Sequence, residues 1–174
     1  MVKVYLVEDE IIIRQSIKNS IDWEKEGYEF VGDASDGELA LPVILKEKPD
    51  ILITDIRMPF MDGLELSRLV KKELPQIKII ILSGYNEFDY AKTAISIGVT
   101  DYLLKPISSA KLLEAVKKVG DMIEKEQDNV RLMERYEKEM EENILQEKHK
   151  LWGALASNRL FTIELLEKGQ VDLI

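Results

Sequence analysis

Residues 51–59 read ILITDIRMP. The run Ile51–Thr54 carries no charge and ends abruptly in an acid, Asp55. A continuous apolar run of this length fits a strand covered on both faces, as at the centre of a parallel sheet. Ile79–Leu82 has the same character. Working outward, strand-like runs occur at Lys3–Val7, Tyr28–Ala34, Ile77–Leu82 and Tyr102–Leu104. Helical segments lie between them. Arg14–Ile21 follows Ile13 with Ile17 and Ile21 at a spacing of four, Leu64–Leu74 presents Leu66, Leu69, Val70 and Leu74, and Phe88–Ile97 presents Ala91, Ala94 and Ile95. Strand and helix alternate through about the first 120 residues, which predicts crossover units, a five-stranded parallel sheet and helices on both faces. Tyr28–Ala34, with Glu29 and Asp33 among its apolar residues, suits an edge. Pro42 falls inside the second helical segment, where the lost hydrogen bond predicts a kink or a delayed start.

Composition narrows the function. The chain has 174 residues, 45% hydrophobic and 33% charged, with a net charge of −9. That balance fits a globular protein and offers no basic face for a phosphate backbone. No apolar run approaches a membrane span, and the N-terminus carries no secretion signal, so a cytoplasmic location is expected. With no cysteine, disulfides, cysteine metal sites and thiol catalysis are excluded. The single histidine, His149, excludes a histidine metal cluster and a Ser-His-Asp triad, and its charged surroundings predict a solvated side chain.

The acids at strand ends carry the chemistry. MVKVYLVEDEIII (1–13) ends its strand in Glu8, Asp9 and Glu10, and Asp55 ends the third. Open parallel sheets bind ligands outside the carboxyl ends of their strands. If the first and third strands are neighbours, these carboxylates converge, repel one another and call for a cation. Oxygen-only ligands suit Mg²⁺. Ser83 and Lys105 end two further strands on the same side, and a hydroxyl and an ammonium aimed at such a cluster suit a phosphoryl group. One carboxylate would then accept it as an acyl phosphate. Taken singly, each residue has a blander reading: acids at strand ends are often solvated loop residues or helix caps, and Asp62-Gly63 alone is a turn or a helix start. Trp23, Tyr28 and Phe30 are read as packing residues.

The stretches VEDE (7–10), DIRMPFMDG (55–63), LSG (82–84) and DYLLKP (101–106) resemble the receiver domain of a bacterial two-component response regulator, over residues 1–119. IDWEKEGYEFVG and LSGYNEFDYAK further resemble receivers joined to AraC-type helix-turn-helix outputs. The resemblance implies a flavodoxin-like receiver fold with strand order 2-1-3-4-5. It implies Asp55 as phosphoacceptor for a sensor histidine kinase, and Mg²⁺ held by Asp9, Asp55 and the backbone carbonyl of Arg57, with Glu8 contacting it through water. Ser83 and Lys105 would meet the phosphoryl oxygens, Tyr102 would turn as Ser83 moves, and a cis bond would precede Pro106. Family members often carry two aspartates where this chain has Glu8-Asp9. Such a domain switches rather than turns over a substrate. Two alternatives stay open: a stand-alone receiver working through protein contacts, and a Mg²⁺-dependent phosphohydrolase. The second generally needs an acid two residues past its nucleophile, and that position is Arg57.

Beyond the receiver, 120–150 reads as a coiled-coil-like helical linker and 151–174 as the start of a further helical region. With Val116 at heptad position a, the a positions are Val116, Ile123, Val130, Glu137, Ile144 and Leu151, and the d positions are Val119, Glu126, Met133, Met140, Glu147 and Ala154. This predicts a helix from about Ser108 to about Lys150 and a parallel homodimer through 116–154. DNA would be met only through an output region beyond the chain, which reads as truncated before it.

Overall fold

The computed structural model describes residues 1–84 and 88–167. Tyr85, Asn86 and Glu87 of the LSGYNEFDYAK stretch, and residues 168–174 of the last segment, lie outside the described residues. In chain order the elements are β1 (Val2–Val7), α1 (Ile11–Ser20), β2 (Tyr28–Ala34), α2 (Gly37–Glu47), β3 (Ile51–Asp55), α3 (Gly63–Glu73), β4 (Lys78–Ser83), α4 (Phe88–Ile97), β5 (Asp101–Leu104) and α5 (Ser109–Glu167). The strands form one sheet in the order β2-β1-β3-β4-β5, and every neighbouring pair is parallel. This is the flavodoxin-like order that the resemblance to a receiver implies. The reversal of strand order falls between β1 and β3, the pair that ends in Glu8 and Asp55.

The period-two alternation of strand side chains divides the core into two layers. Val4, Leu6, Ile51, Ile53, Ile80 and Leu82 face α1 and α5, and Ile17 of α1, Ile21 just past its end, and Leu112, Val116, Val119 and Ile123 of α5 close that side. Tyr5, Val7, Leu52, Ile79 and Ile81 face the other way, covered by Ala40 and Ile44 of α2, Leu66 and Val70 of α3 and Ala94 of α4. All of β3 is buried, as an uncharged central run requires. β2 lies at the sheet edge. Trp23 and Tyr28 pack edge to face with ring centroids 6.5 Å apart, and Trp23 lies 5.5 Å from Phe30, so all three are packing residues.

Two caps account for helix starts. Asp36 accepts the Leu39 N–H at 2.9 Å and Asp62 accepts the Glu65 N–H at 2.7 Å. Asp62-Gly63 is therefore a helix start. Pro42 does not delay α2, which runs through it from Gly37 to Glu47. Its ring is exposed, on the side where water can satisfy the carbonyl that its missing N–H leaves behind.

The chain forms two compact units, Met1–Glu124 and Lys125–Ile174. Within the first, the expected dimer seam needs correction. Val116, Val119 and Ile123 are 0, 1 and 7% exposed, because they pack on their own sheet. A seam for a second chain begins only beyond them. Gly120 lies on the same stretch of α5, where a Cβ would sit 2.6 Å from the Tyr28 hydroxyl, so the tyrosine admits no larger residue without moving. In the second unit α5 continues past Lys150 to Glu167. There Val130, Met133, Met140, Ile144 and Leu151 are each more than half exposed, and His149 is exposed too.

Candidate functional site

The sheet delivers its polar residues to one edge through register. Val7 pairs with Thr54 and Asp55 with Leu82, so Glu8, Asp9 and Asp55 emerge beside one another. Ser83 pairs with Leu104, and the Lys105 N–H donates to the Ser83 carbonyl at 2.7 Å. Glu8, Asp9 and Asp55 each place one carboxylate oxygen within 4.8 Å of the other two. Glu8 is 0% exposed, Asp55 6% and Ser83 2%, whereas Asp9 is open to solvent.

Lys105 bridges the buried acids. Its Nζ lies 2.7 Å from Asp55 Oδ2 and 2.8 Å from Glu8 Oε2, and donates to Glu8 Oε1 at 3.0 Å. Glu8 Oε2 makes no well-directed hydrogen bond of its own. Burial pushes the Glu8 carboxyl up to about 7, against the hydrogen bond and charge of Lys105, and the charge of Asp55 adds to the rise. Burial pulls the Lys105 ammonium down, but its bonds to Asp55 and Glu8 and their charges outweigh it, so the net direction is upward. Three carboxylates against one ammonium leave room for a hard cation, and the oxygen-only donor set suits Mg²⁺.

The loop after β3 is pinned around Asp55. The Ile56 N–H donates to Asp55 Oδ1 at 2.6 Å, which leaves Oδ2 facing Lys105. Thr54 Oγ1 donates to the Asp55 carbonyl at 2.9 Å, and the Gly63 N–H to the Ile56 carbonyl at 2.9 Å. A Cβ on Gly63 would stand 1.8 Å from the Asp55 carbonyl oxygen, so only glycine allows α3 to start this close. Thr54 and Gly63 were not singled out in the sequence for this role. The tight DG start of α3 was the available signal, and nothing in it told which backbone the glycine would meet.

Arg57 is exposed, two residues past Asp55, with its guanidinium carbon 5.9 Å from the centroid of the Tyr90 ring. Tyr102 packs against the layer under α2, α3 and α4, and its hydroxyl is buried without a hydrogen-bond partner among the described residues. The Lys105–Pro106 peptide is cis, as expected.

Residues 4–117 match the model of the response regulator receiver domain. The chain belongs to the response regulator receiver family. This receiver is 40% identical over 119 residues to the uncharacterized transcriptional regulatory protein YesN of Bacillus subtilis, covering 68% of this chain and 32% of that one. It is 41% identical over 112 residues to the transcriptional regulatory protein HptR of Staphylococcus aureus, covering 64% and 44%. The chain thus spans less than half the length of the curated relatives it matches. Among solved structures it resembles the REC domain of AraT, a response regulator from Geobacillus stearothermophilus. The TM-score is 0.68 and the identity 46%, over 73% of this chain and 99% of that one. A CheY-like receiver from Methanospirillum hungatei gives a TM-score of 0.67 at 30% identity, over 72% and 98%. No described helix is long and apolar enough to cross a membrane.

Proposed function

We propose that this receiver accepts a phosphoryl group on Asp55 from a sensor histidine kinase and switches a transcriptional output. The carrying observation is the Lys105 bridge, 2.7 Å from Asp55 and 2.8 Å from Glu8, beside three converging carboxylates. In the transfer, an Asp55 carboxylate oxygen forms a bond to phosphorus as the nitrogen–phosphorus bond of a phosphohistidine breaks. The product is an acyl phosphate on Asp55 and a free imidazole. Lys105 gives up part of its pairing with Glu8 and Asp55 to meet the incoming oxygens. Asp9, Asp55 and the Arg57 carbonyl would hold Mg²⁺, with Glu8 meeting it through water, and the ion would neutralise charge on the transferring group.

Ser83, one residue past the β4 partner of Asp55, reaches the phosphoryl group, and Tyr102 turns in response. Support comes from the Tyr102 hydroxyl, which on leaving its buried position sacrifices no hydrogen bond to the described residues. One charge-assisted hydrogen bond of roughly 1.5–3 kcal/mol shifts a two-state equilibrium about 10- to 150-fold. The output is of AraC type, reaching DNA through a region outside this chain. The exposed part of the α5 seam, Val130 to Ala154, pairs with a second copy in a parallel coil, and the protein works in the cytoplasm.

The test is phosphorylation by a small acyl phosphate, read by intact mass. Wild-type protein with Mg²⁺ gains about 80 Da, the mass of one phosphoryl group. Chelating the metal, or the change Asp55→Asn, abolishes the gain. An Asp55→Asn protein modified at the normal rate would refute the assignment.

A further inference from the structure

We propose that Arg14 is a positioning residue for the acid pair Glu8-Asp9, acting through the one peptide group that joins them. The proposal rests on the reading of those acids as cation ligands.

The Glu8 carbonyl belongs to the peptide between Glu8 and Asp9. Arg14, one turn into α1, donates from Nη1 to that carbonyl at 2.5 Å. On the other side of the same residue, the Glu8 N–H donates to the Ala34 carbonyl of β2 at 3.1 Å. The two bonds hold the two peptide planes that flank the Glu8 Cα, and a rotation of the Glu8–Asp9 plane, which Arg14 holds, would swing both carboxylates. The guanidinium is itself held. Its Nε lies 3.2 Å from Asp33 Oδ2, and Lys18 Nζ lies 2.7 Å from Asp33 Oδ1. Arg14 and Asp33 are largely buried, with side chains 13 and 16% exposed, whereas Lys18 is 42% exposed. Asp33 stands on β2 opposite Leu6 of β1. The arrangement spans three elements: Nη1 donates to the Glu8 carbonyl, while Nε makes a charge contact with Asp33 without a directed hydrogen bond among the described residues.

Charge alone makes the opposite prediction. Arg14 is a cation near a cation site, so deleting it should tighten Mg²⁺ binding on electrostatic grounds. Positioning makes deletion loosen binding, and groups that orient metal ligands typically matter by 10- to 100-fold in affinity. Lys18 separates the two accounts, because it carries the same charge against the same Asp33 yet is not a partner of Glu8.

The experiment is calorimetric titration of the full chain with Mg²⁺ alone, on wild type, Arg14→Gln, Arg14→Lys and Lys18→Gln. Urea unfolding of each variant establishes that it is folded at the titration temperature. The expected result is about a tenfold loss of affinity for Arg14→Gln. Arg14→Lys keeps the charge and loses the Nη1 donor to the Glu8 carbonyl, and should lose severalfold. Lys18→Gln should stay within about twofold of wild type. Affinity in Arg14→Gln equal to or tighter than wild type overturns the proposal, as does full retention in Arg14→Lys. Should Arg14→Gln fail to fold, Arg14→Lys decides alone. Wild-type protein that binds no Mg²⁺ is a separate outcome, which removes the reading of the acids and this inference with it.

Discussion

The metal-free receiver should become less stable as the pH rises from 5 to 7, the reverse of what a salt-bridged carboxylate ordinarily produces. Glu8 is the cause. Burial holds its carboxyl at about 7, against an ordinary value of 4.5. Between those two values the folded protein keeps a proton that the unfolded chain has released, so each rise in pH favours unfolding. Below 4.5 both states hold the proton and above about 7 both have lost it, so the trend is confined to this window. The gap between 4.5 and about 7, at about 1.4 kcal/mol per pH unit, amounts to about 3 kcal/mol. That is a large share of the 5–15 kcal/mol typical of a domain. Lys105, its ammonium held upward by Asp55 and Glu8, stays charged throughout the window and adds no titration of its own. The assay is urea denaturation at several pH values from 5 to 8 in a chelating buffer. Wild type should show a falling midpoint and Glu8→Gln a markedly flatter one. Saturating Mg²⁺ should reduce the slope, because a bound cation keeps Glu8 ionised in the folded state. A wild-type midpoint independent of pH, or a Glu8→Gln variant with an undiminished slope, would refute the reasoning.

Gly63→Ala should destabilise the receiver by about 3 kcal/mol or more and slow phosphorylation of Asp55, because its Cβ would overlap the Asp55 carbonyl at 1.8 Å; a wild-type urea midpoint would contradict this. Ile123→Glu puts a charge into the layer under α1 and α5 and should unfold the receiver or cost it about 3–5 kcal/mol, whatever its oligomeric state. Ile144→Glu, at a half-exposed position, should leave the receiver's unfolding unchanged and halve the mass seen by light scattering; a wild-type protein that is monomeric at every concentration would dismiss the coil. With Glu126, Glu137 and Glu147 at seam positions, the change Glu137→Leu should strengthen the dimer, read as a lower concentration at which the mass halves.

The fold was legible because its two strongest signals do not compete. Ile51–Thr54 and Ile79–Leu82 lack the polar residues of a one-sided strand, and burial on both faces follows from that alone. The convergence of Glu8, Asp9 and Asp55 needed only that β1 and β3 be neighbours, after which register brings the acids to one edge. What stayed hidden was what backbones meet across sequence distance. Gly63 reads as a helix start, and no local feature announces that Asp55 lies against it. Arg14 reads as one more charge on an amphipathic helix, and only the placement of β2 shows that Asp33 and the Glu8 carbonyl are its partners. The α5 seam shows a different failure. Packing on a sheet and packing in a coil both ask for apolar residues three and four apart. Val116, Val119 and Ile123 therefore sit in heptad register with Val130, Met133, Met140 and Ile144, although the first three belong to the receiver core and the rest are exposed. The boundary is visible in the chemistry of the neighbours rather than in the spacing. Gly120 fits under Tyr28, a contact that only a receiver-facing turn makes, and Glu126 is the first seam position to carry a charge. Under the proposed pairing, residues 124–129 of α5 are the covalent link between the receiver core positions and the exposed seam positions. Substitutions between Ile123 and Val130 should therefore alter how phosphorylation affects pairing more than they alter the stability of either part.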